Sequence, residues 1–86
     1  MEQIEYQKNL EKKLINQYGN VLSGEILSNL MGFPSVAAFR QGIKRGVIDI
    51  PIISFKNRRG KFALANDVAE WLTRARYRAL EKSKMN

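Results

Sequence analysis

The 86-residue sequence contains no cysteine and no histidine. Without cysteine, neither disulfides nor thiolate metal sites can brace the chain. Without histidine, it lacks the commonest general base and the commonest nitrogen ligand for metals. Acidic residues number only eight, and they show no clustered spacing of the kind that holds a metal. Ser23, Ser28, Ser35 and Ser54 have no histidine to activate them, and no glycine-rich phosphate loop is present. The expectation is a protein that is not an enzyme and that uses no cofactor, metal or small-molecule ligand. Long apolar runs are missing too. The longest lies around Ile50–Phe55, far short of the roughly 20 residues a membrane helix needs. The Met1 end carries Glu2, Glu5 and Lys8 with no apolar stretch, unlike a secretory signal. A soluble intracellular protein without membrane contact is expected, with one small domain over residues 1–86.

What the chain has in excess is positive charge. The net charge is +7 and the pI is about 10.1. Residues 1–39 hold three Lys against four Glu, a net of −1. Residues 40–86 hold twelve Lys or Arg against four Asp or Glu, a net of +8. This asymmetry points to a basic surface built from the middle and end of the chain and suited to a polyanion. A charge serving solubility alone would not need to spare the first half.

The stretch Val21–Arg45 reads as two short helices joined by a tight turn. Ser23 is a candidate N-cap, and Ile26, Leu27, Leu30 and Met31 follow at helical spacing. Gly32 suits the left-handed residue that closes a helix, and Pro34 bars its continuation. Ser35 caps a second helix with Val36, Phe39 and Ile43 on one side. The other side carries Ala37, Arg40, Gln41 and Lys44, with Arg45 at its edge and Gly46 at its end. A helix with an apolar back and an Arg/Gln/Lys front, set against a short capped helix, is the pattern of a helix-turn-helix over residues 23–45.

Around it, residues 2–18 predict a helix with the apolar stripe Ile4, Leu10, Leu14, Ile15 and Tyr18. That helix serves either to pack on the core or as a dimer or partner surface. After Gly46, the segment Val47–Pro51 is a connector. Residues 52–64 predict a two-stranded hairpin, Ile52–Phe55 with Lys61–Leu64, whose basic tip is Lys56, Asn57, Arg58, Arg59 and Gly60. Residues 66–82 predict a last helix capped by Asn66, with Asp67 in its first turn. Its buried face is Val68, Trp71, Leu72 and Ala75, with Trp71 as the expected centre of the core. Glu70 and Arg74 are placed to pair at i,i+4, and Ser83–Asn86 is expected to fray.

Three segments carry a family likeness: LSGEILSNLMGF at 22–33, IPIISFKNRRGKFAL at 50–64 and NDVAEWL at 66–72. Their order resembles the small winged helix-turn-helix proteins grouped with the MerR-type DNA-binding domain, in particular excisionases and AlpA-like prophage regulators. Pyocin-activator-type regulators are also similar from Pro51 to Leu72. The resemblance implies a mainly α fold with a small β-hairpin wing and, in this chain, an extra N-terminal helix. It implies a cytoplasmic, nucleoid-associated bacterial protein of a mobile element that binds double-stranded DNA. The role would be transcriptional regulator or excisionase-type recombination directionality factor. Excisionases of this likeness bend DNA from neighbouring sites, so a homodimer or side-by-side oligomer on DNA is also implied. Carried over by position, Ser35, Ala37, Arg40, Gln41, Lys44 and Arg45 would face the major groove, and Lys56, Asn57, Arg58, Arg59 and Lys61 would form the wing. Gly42 departs from the pattern and costs about 1 kcal/mol relative to Ala inside a helix.

The chemistry of these residues is compatible with that role. Arg40 can donate two parallel bonds to guanine, and Gln41 can donate and accept at adenine; phosphate contact is the other use open to both. Lys44 and Arg45 suit phosphate. Arg58 and Arg59 flank a turn, and one use for such an arginine is a narrow minor groove. Arg74 and Arg78 share a face of the last helix and form a weaker candidate contact. RNA binding is disfavoured by the lack of stacking aromatics at the hairpin tip. The competing reading is a protein-interaction module that uses residues 2–18 on an inherited scaffold.

Overall fold

A computed structural model describes residues 2–85. The elements run α1 (Glu2–Tyr18), β1 (Val21–Ser23), α2 (Gly24–Leu30), α3 (Val36–Arg45), β2 (Phe62–Leu64) and α4 (Ala65–Met85). The architecture is mainly helical with one small antiparallel sheet, β1–β2, in the register Val21–Leu64, Leu22–Ala63 and Ser23–Phe62. Among the described residues, no helix is long and apolar enough to cross a membrane.

The two short helices are closed as their glycines require. After α2, Gly32 takes φ +86°; its N–H donates to Asn29, and that of Phe33 donates to Ser28. After α3, Gly46 takes φ +73°, with Gly46 N–H on Ile43 and Val47 N–H on Gly42. Both sets are Schellman motifs, which satisfy the last carbonyls of a helix through one left-handed residue. At the start of α3, the Ser35 hydroxyl accepts from the Ala38 N–H at 3.0 Å, as expected of a cap.

α1 and α4 run antiparallel along one another. The chain leaving α1 offers the Asn20 carbonyl to the Ala65 N–H at 2.8 Å. Toward the other end, the Tyr6 and Tyr77 rings meet edge to face, with centroids 6.1 Å apart. Leu14 of α1 is buried in this seam, while Ile4 is 57% exposed. The apolar stripe of residues 2–18 thus serves packing along most of its length.

The core is formed where β1, β2, α2 and α4 converge. Leu22, Leu27 and Val68 are its largest fully buried apolar side chains, with Phe39 from α3 close to complete burial. Two hydroxyls are buried with them. Ser28 donates to the Gly24 carbonyl at 2.9 Å and Thr73 to the Ala69 carbonyl at 2.7 Å, each back-bonding within its own helix.

The structure corrects several sequence expectations. Ser23 stands at the N-cap of α2 but makes no side-chain cap bond; the Gly24 that follows it takes φ +58°, so the first turn does not start with the right-handed geometry that Ser35 caps in α3. Ile26 is 42% exposed, and the buried place beside Leu27 is taken by Ser28. The expected 52–64 hairpin is reduced to one bridge, Ile53–Phe62. Phe62–Leu64 pairs instead with Val21–Ser23, and Pro51, lacking an N–H, cannot extend a ladder on the other side. α4 begins at Ala65, so Asn66 lies inside the helix rather than capping it, and the helix spans Ala65–Met85. Asn86 lies outside the described residues. Trp71 is only half-buried and Ala75 is exposed. The most deeply buried α4 side chains are those of Ala65, Val68, Ala69 and Thr73.

Gly42 does not shorten α3, which runs its full length to Arg45. It is buried, and a Cβ there would lie 3.1 Å and 3.2 Å from the Phe33 ring and 3.3 Å from the Ile48 Cδ1. The Phe33 ring is itself held edge to face on Phe39, with centroids 5.5 Å apart, so it has little room to retreat. Gly42→Ala is therefore expected to lose more to overpacking, about 1–3 kcal/mol, than it gains in helix propensity, about 1 kcal/mol. A urea-unfolding midpoint above that of wild type would show that the ring yields. Leu27→Ala, which empties a fully buried site, is expected to cost about 3 kcal/mol in the same measurement.

Candidate nucleic-acid interface

The front of α3 is open to solvent. Ala37, Arg40, Gln41, Lys44 and Arg45 are all exposed, whereas Phe39 and Gly42 are buried and Val36 and Ile43 half-buried. The helix has two faces of the kind its sequence pattern requires. Ser35 is also exposed, but its oxygen is engaged in the cap, which leaves the hydroxyl proton as its only donor to a ligand.

The loop between Ile53 and Phe62 is the second basic element. A turn closes it, with the Arg58 N–H donating to the Phe55 carbonyl at 3.2 Å and Asn57 in the left-handed region at φ +66°. Asn tolerates that conformation better than most residues. Gly60 follows at φ +99°. Lys56, Asn57, Arg58, Arg59 and Lys61 are all exposed. Lys61 is tethered, its Nζ donating to the Ser54 hydroxyl at 3.3 Å.

An aromatic prop absent from the sequence reading supports this loop. Phe55 packs edge to face on Phe62, with centroids 4.9 Å apart. The Arg58 guanidinium lies 5.8 Å from the Phe55 ring centroid, within cation–π reach. Phe55 remains 38% exposed, so this arginine rests against a ring at the surface instead of ranging freely beside Arg59. The signal for it was the Phe55-x-x-Arg58 spacing, which becomes meaningful only once the turn at 55–58 is known.

The two basic elements are brought together. Arg40 lines a crevice with Gly60 and Lys61, whose other walls are Gly24, Val36 and Phe39. By contrast, Arg74 and Arg78 line a different cleft, of about 290 Å³, against Asp49, Ile50 and Trp71. Arg74 also pairs with Glu70 at 3.7 Å, as the i,i+4 spacing predicts. Both partners are largely exposed, so the pair contributes a few tenths of a kcal/mol. It is the only ion pair among the described residues, and the cations of α3 and of the loop therefore have no carboxylate partner there. Arg76 is placed away from both clefts, 4.7 Å from the Tyr6 ring centroid and 5.7 Å from that of Tyr77. It belongs to the α1–α4 seam.

No protein-family model, curated protein or solved structure matches this chain. If Phe55 holds the loop as its contacts indicate, Phe55→Ala will speed amide hydrogen exchange across residues 56–60 while leaving the helical circular-dichroism signal unchanged. Unaltered exchange would mean that the turn and the Ile53–Phe62 bridge suffice without the ring.

Proposed function

We propose that this protein binds double-stranded DNA as a winged helix-turn-helix domain of the MerR-related kind. In this reading α2 and α3 form the helix-turn-helix, α3 enters the major groove, and residues 56–61 act as the wing. The observation that supports it is the convergence of Arg40 on α3 with Gly60 and Lys61 of the loop on one crevice. The exposed cations of α3 and of the loop have no carboxylate within ion-pair distance among the described residues. Holding that many like charges on one surface opposes the compact state unless a polyanion offsets the repulsion. The role is that of a transcriptional regulator or an excisionase-type recombination directionality factor in a mobile element, acting without cofactor or catalysis. A homodimer or a side-by-side array on neighbouring sites fits either role.

Phosphate contacts from Arg40, Lys44, Arg45, Lys56, Arg59 and Lys61 would number about six, so log K is expected to fall against log salt with a slope of about −5. Selection from a randomised duplex library, followed by fluorescence anisotropy across a salt series, tests both parts. Enrichment of a defined motif with that slope is the expected result. Failure to enrich any sequence, together with weak binding indifferent to salt, would overturn the proposal.

A second reading, a protein-interaction module that uses α1, is favoured by the exposure of Ile4 and Tyr6 on that helix. Retention of function after neutralising Arg40 and Arg58 together would move the assignment to it.

A further inference from the structure

Within the DNA-binding reading, on which this inference rests, we infer that Arg40 is a phosphate ligand and not a base reader. With Lys61 it clamps one backbone phosphate at the crevice between α3 and the loop.

The position of Arg40 on its helix is the first argument. Successive residues turn about 100° around an α-helix, which puts Ala37, Lys44 and Gln41 together along the outward crest of α3. Arg40 falls to one side of that crest, next to the half-buried Val36. Its flank is the one that meets the loop, since Val36, Phe39 and Arg40 line the crevice together with Gly60 and Lys61. A side chain on this margin reaches the strand at the groove edge more readily than the floor of the groove.

The crevice itself has the dimensions and chemistry for a phosphate oxygen. Its volume is about 40 Å³, room for about three water-sized groups, which suits the oxygens of one phosphate. Two cations from separate elements line it, with no carboxylate among its walls. Two more of its residues are Gly24 and Gly60, at φ +58° and +99°, and a Cβ built at either would meet nothing within 4 Å. The backbone there is open, so an anion can approach closely. The Lys61 ammonium donates one bond to Ser54 and keeps two further donors. Arg40 adds a planar fork that matches phosphate oxygens. Sequence readout then falls to the crest of α3. Gln41 is placed for a bidentate contact with adenine, and Ala37 for the methyl group of thymine.

The test uses the full chain, the duplex enriched from the randomised library and a scrambled duplex of equal composition. Arg40→Ala, Lys61→Ala, the double variant and Gln41→Ala are compared by anisotropy, with circular dichroism as a folding control. Because Arg40 and Lys61 are exposed, their variants are expected to fold. Arg40→Ala should weaken both duplexes by the same factor, on the order of tenfold, and leave the ratio between them unchanged. Gln41→Ala should reduce that ratio. The double variant should lose much less than the product of the single losses, and its salt slope should shrink by about one. Enriched duplexes carrying single neutral methylphosphonates supply an independent readout. One position should weaken the wild type yet leave the double variant indifferent. The inference is overturned if Arg40→Ala collapses the ratio while scrambled DNA is still bound normally, or if no such phosphate position exists. Wild-type protein that binds neither duplex would overturn the DNA-binding reading, and this inference with it.

Discussion

Everything on the basic surface depends on three residues of β1 pairing with three of β2. Val21–Ser23 and Phe62–Leu64 stand about forty residues apart in the chain, and closing that loop costs entropy before any contact repays it. The repayment comes from burial. Leu22 and Ala63, directly opposed in the register, are both buried and meet Leu27 and Val68 in the core. The same pairing delivers the Ala65 N–H to the Asn20 carbonyl, which seats α4 beside α1. It also carries the loop before Phe62 to the front of α3. Without it, α2–α3 and the basic loop have no reason to be neighbours.

The molecule keeps its stabilising residues apart from its charged ones. Leu22, Leu27, Phe39 and Val68 are buried, whereas Arg40, Gln41, Lys44 and Arg58 are exposed. The buried hydroxyls of Ser28 and Thr73 are satisfied within their own helices, so the core keeps its polar groups without a network. Substitutions on the proposed DNA-contacting face therefore need not disturb the fold, which is what makes that face open to experiment.

Much of the architecture was legible in the sequence because local rules decide it. The span of α1 follows from its stripe and from Gly19, and the ends of α2 and α3 follow from Gly32 and Gly46. The exposed front of α3 follows from helical periodicity. What escaped was decided by distant partners. β1 is three residues long and runs directly into α2, so it looks like the cap of that helix until Phe62–Leu64 is placed beside it. Gly42 reads as a weak point in isolation and as a packing requirement once Phe33 and Ile48 are known to touch it. Trp71 was expected at the core centre on size alone, but α4 turns it toward the cleft by Asp49 and Ile50. For the candidate interface, the sequence identified basic residues without telling which of them meet. The crevice shared by Arg40 and Lys61, the Phe55–Arg58 contact and the diversion of Arg76 into the α1–α4 seam all required three dimensions.

The closure of α3 at both ends has a kinetic consequence. Ser35 fixes its first turn, Gly46 its last, and Gly42 lies against Phe33 midway. Such a helix is already formed before it meets a ligand, so docking is expected to carry little of the heat-capacity change that accompanies folding on binding. Encounter is then a rigid-body search guided by long-range attraction. For a polyanionic partner, added salt should both slow the encounter and shorten the lifetime of the complex, since the charged contacts proposed for α3 and the loop persist in the bound state.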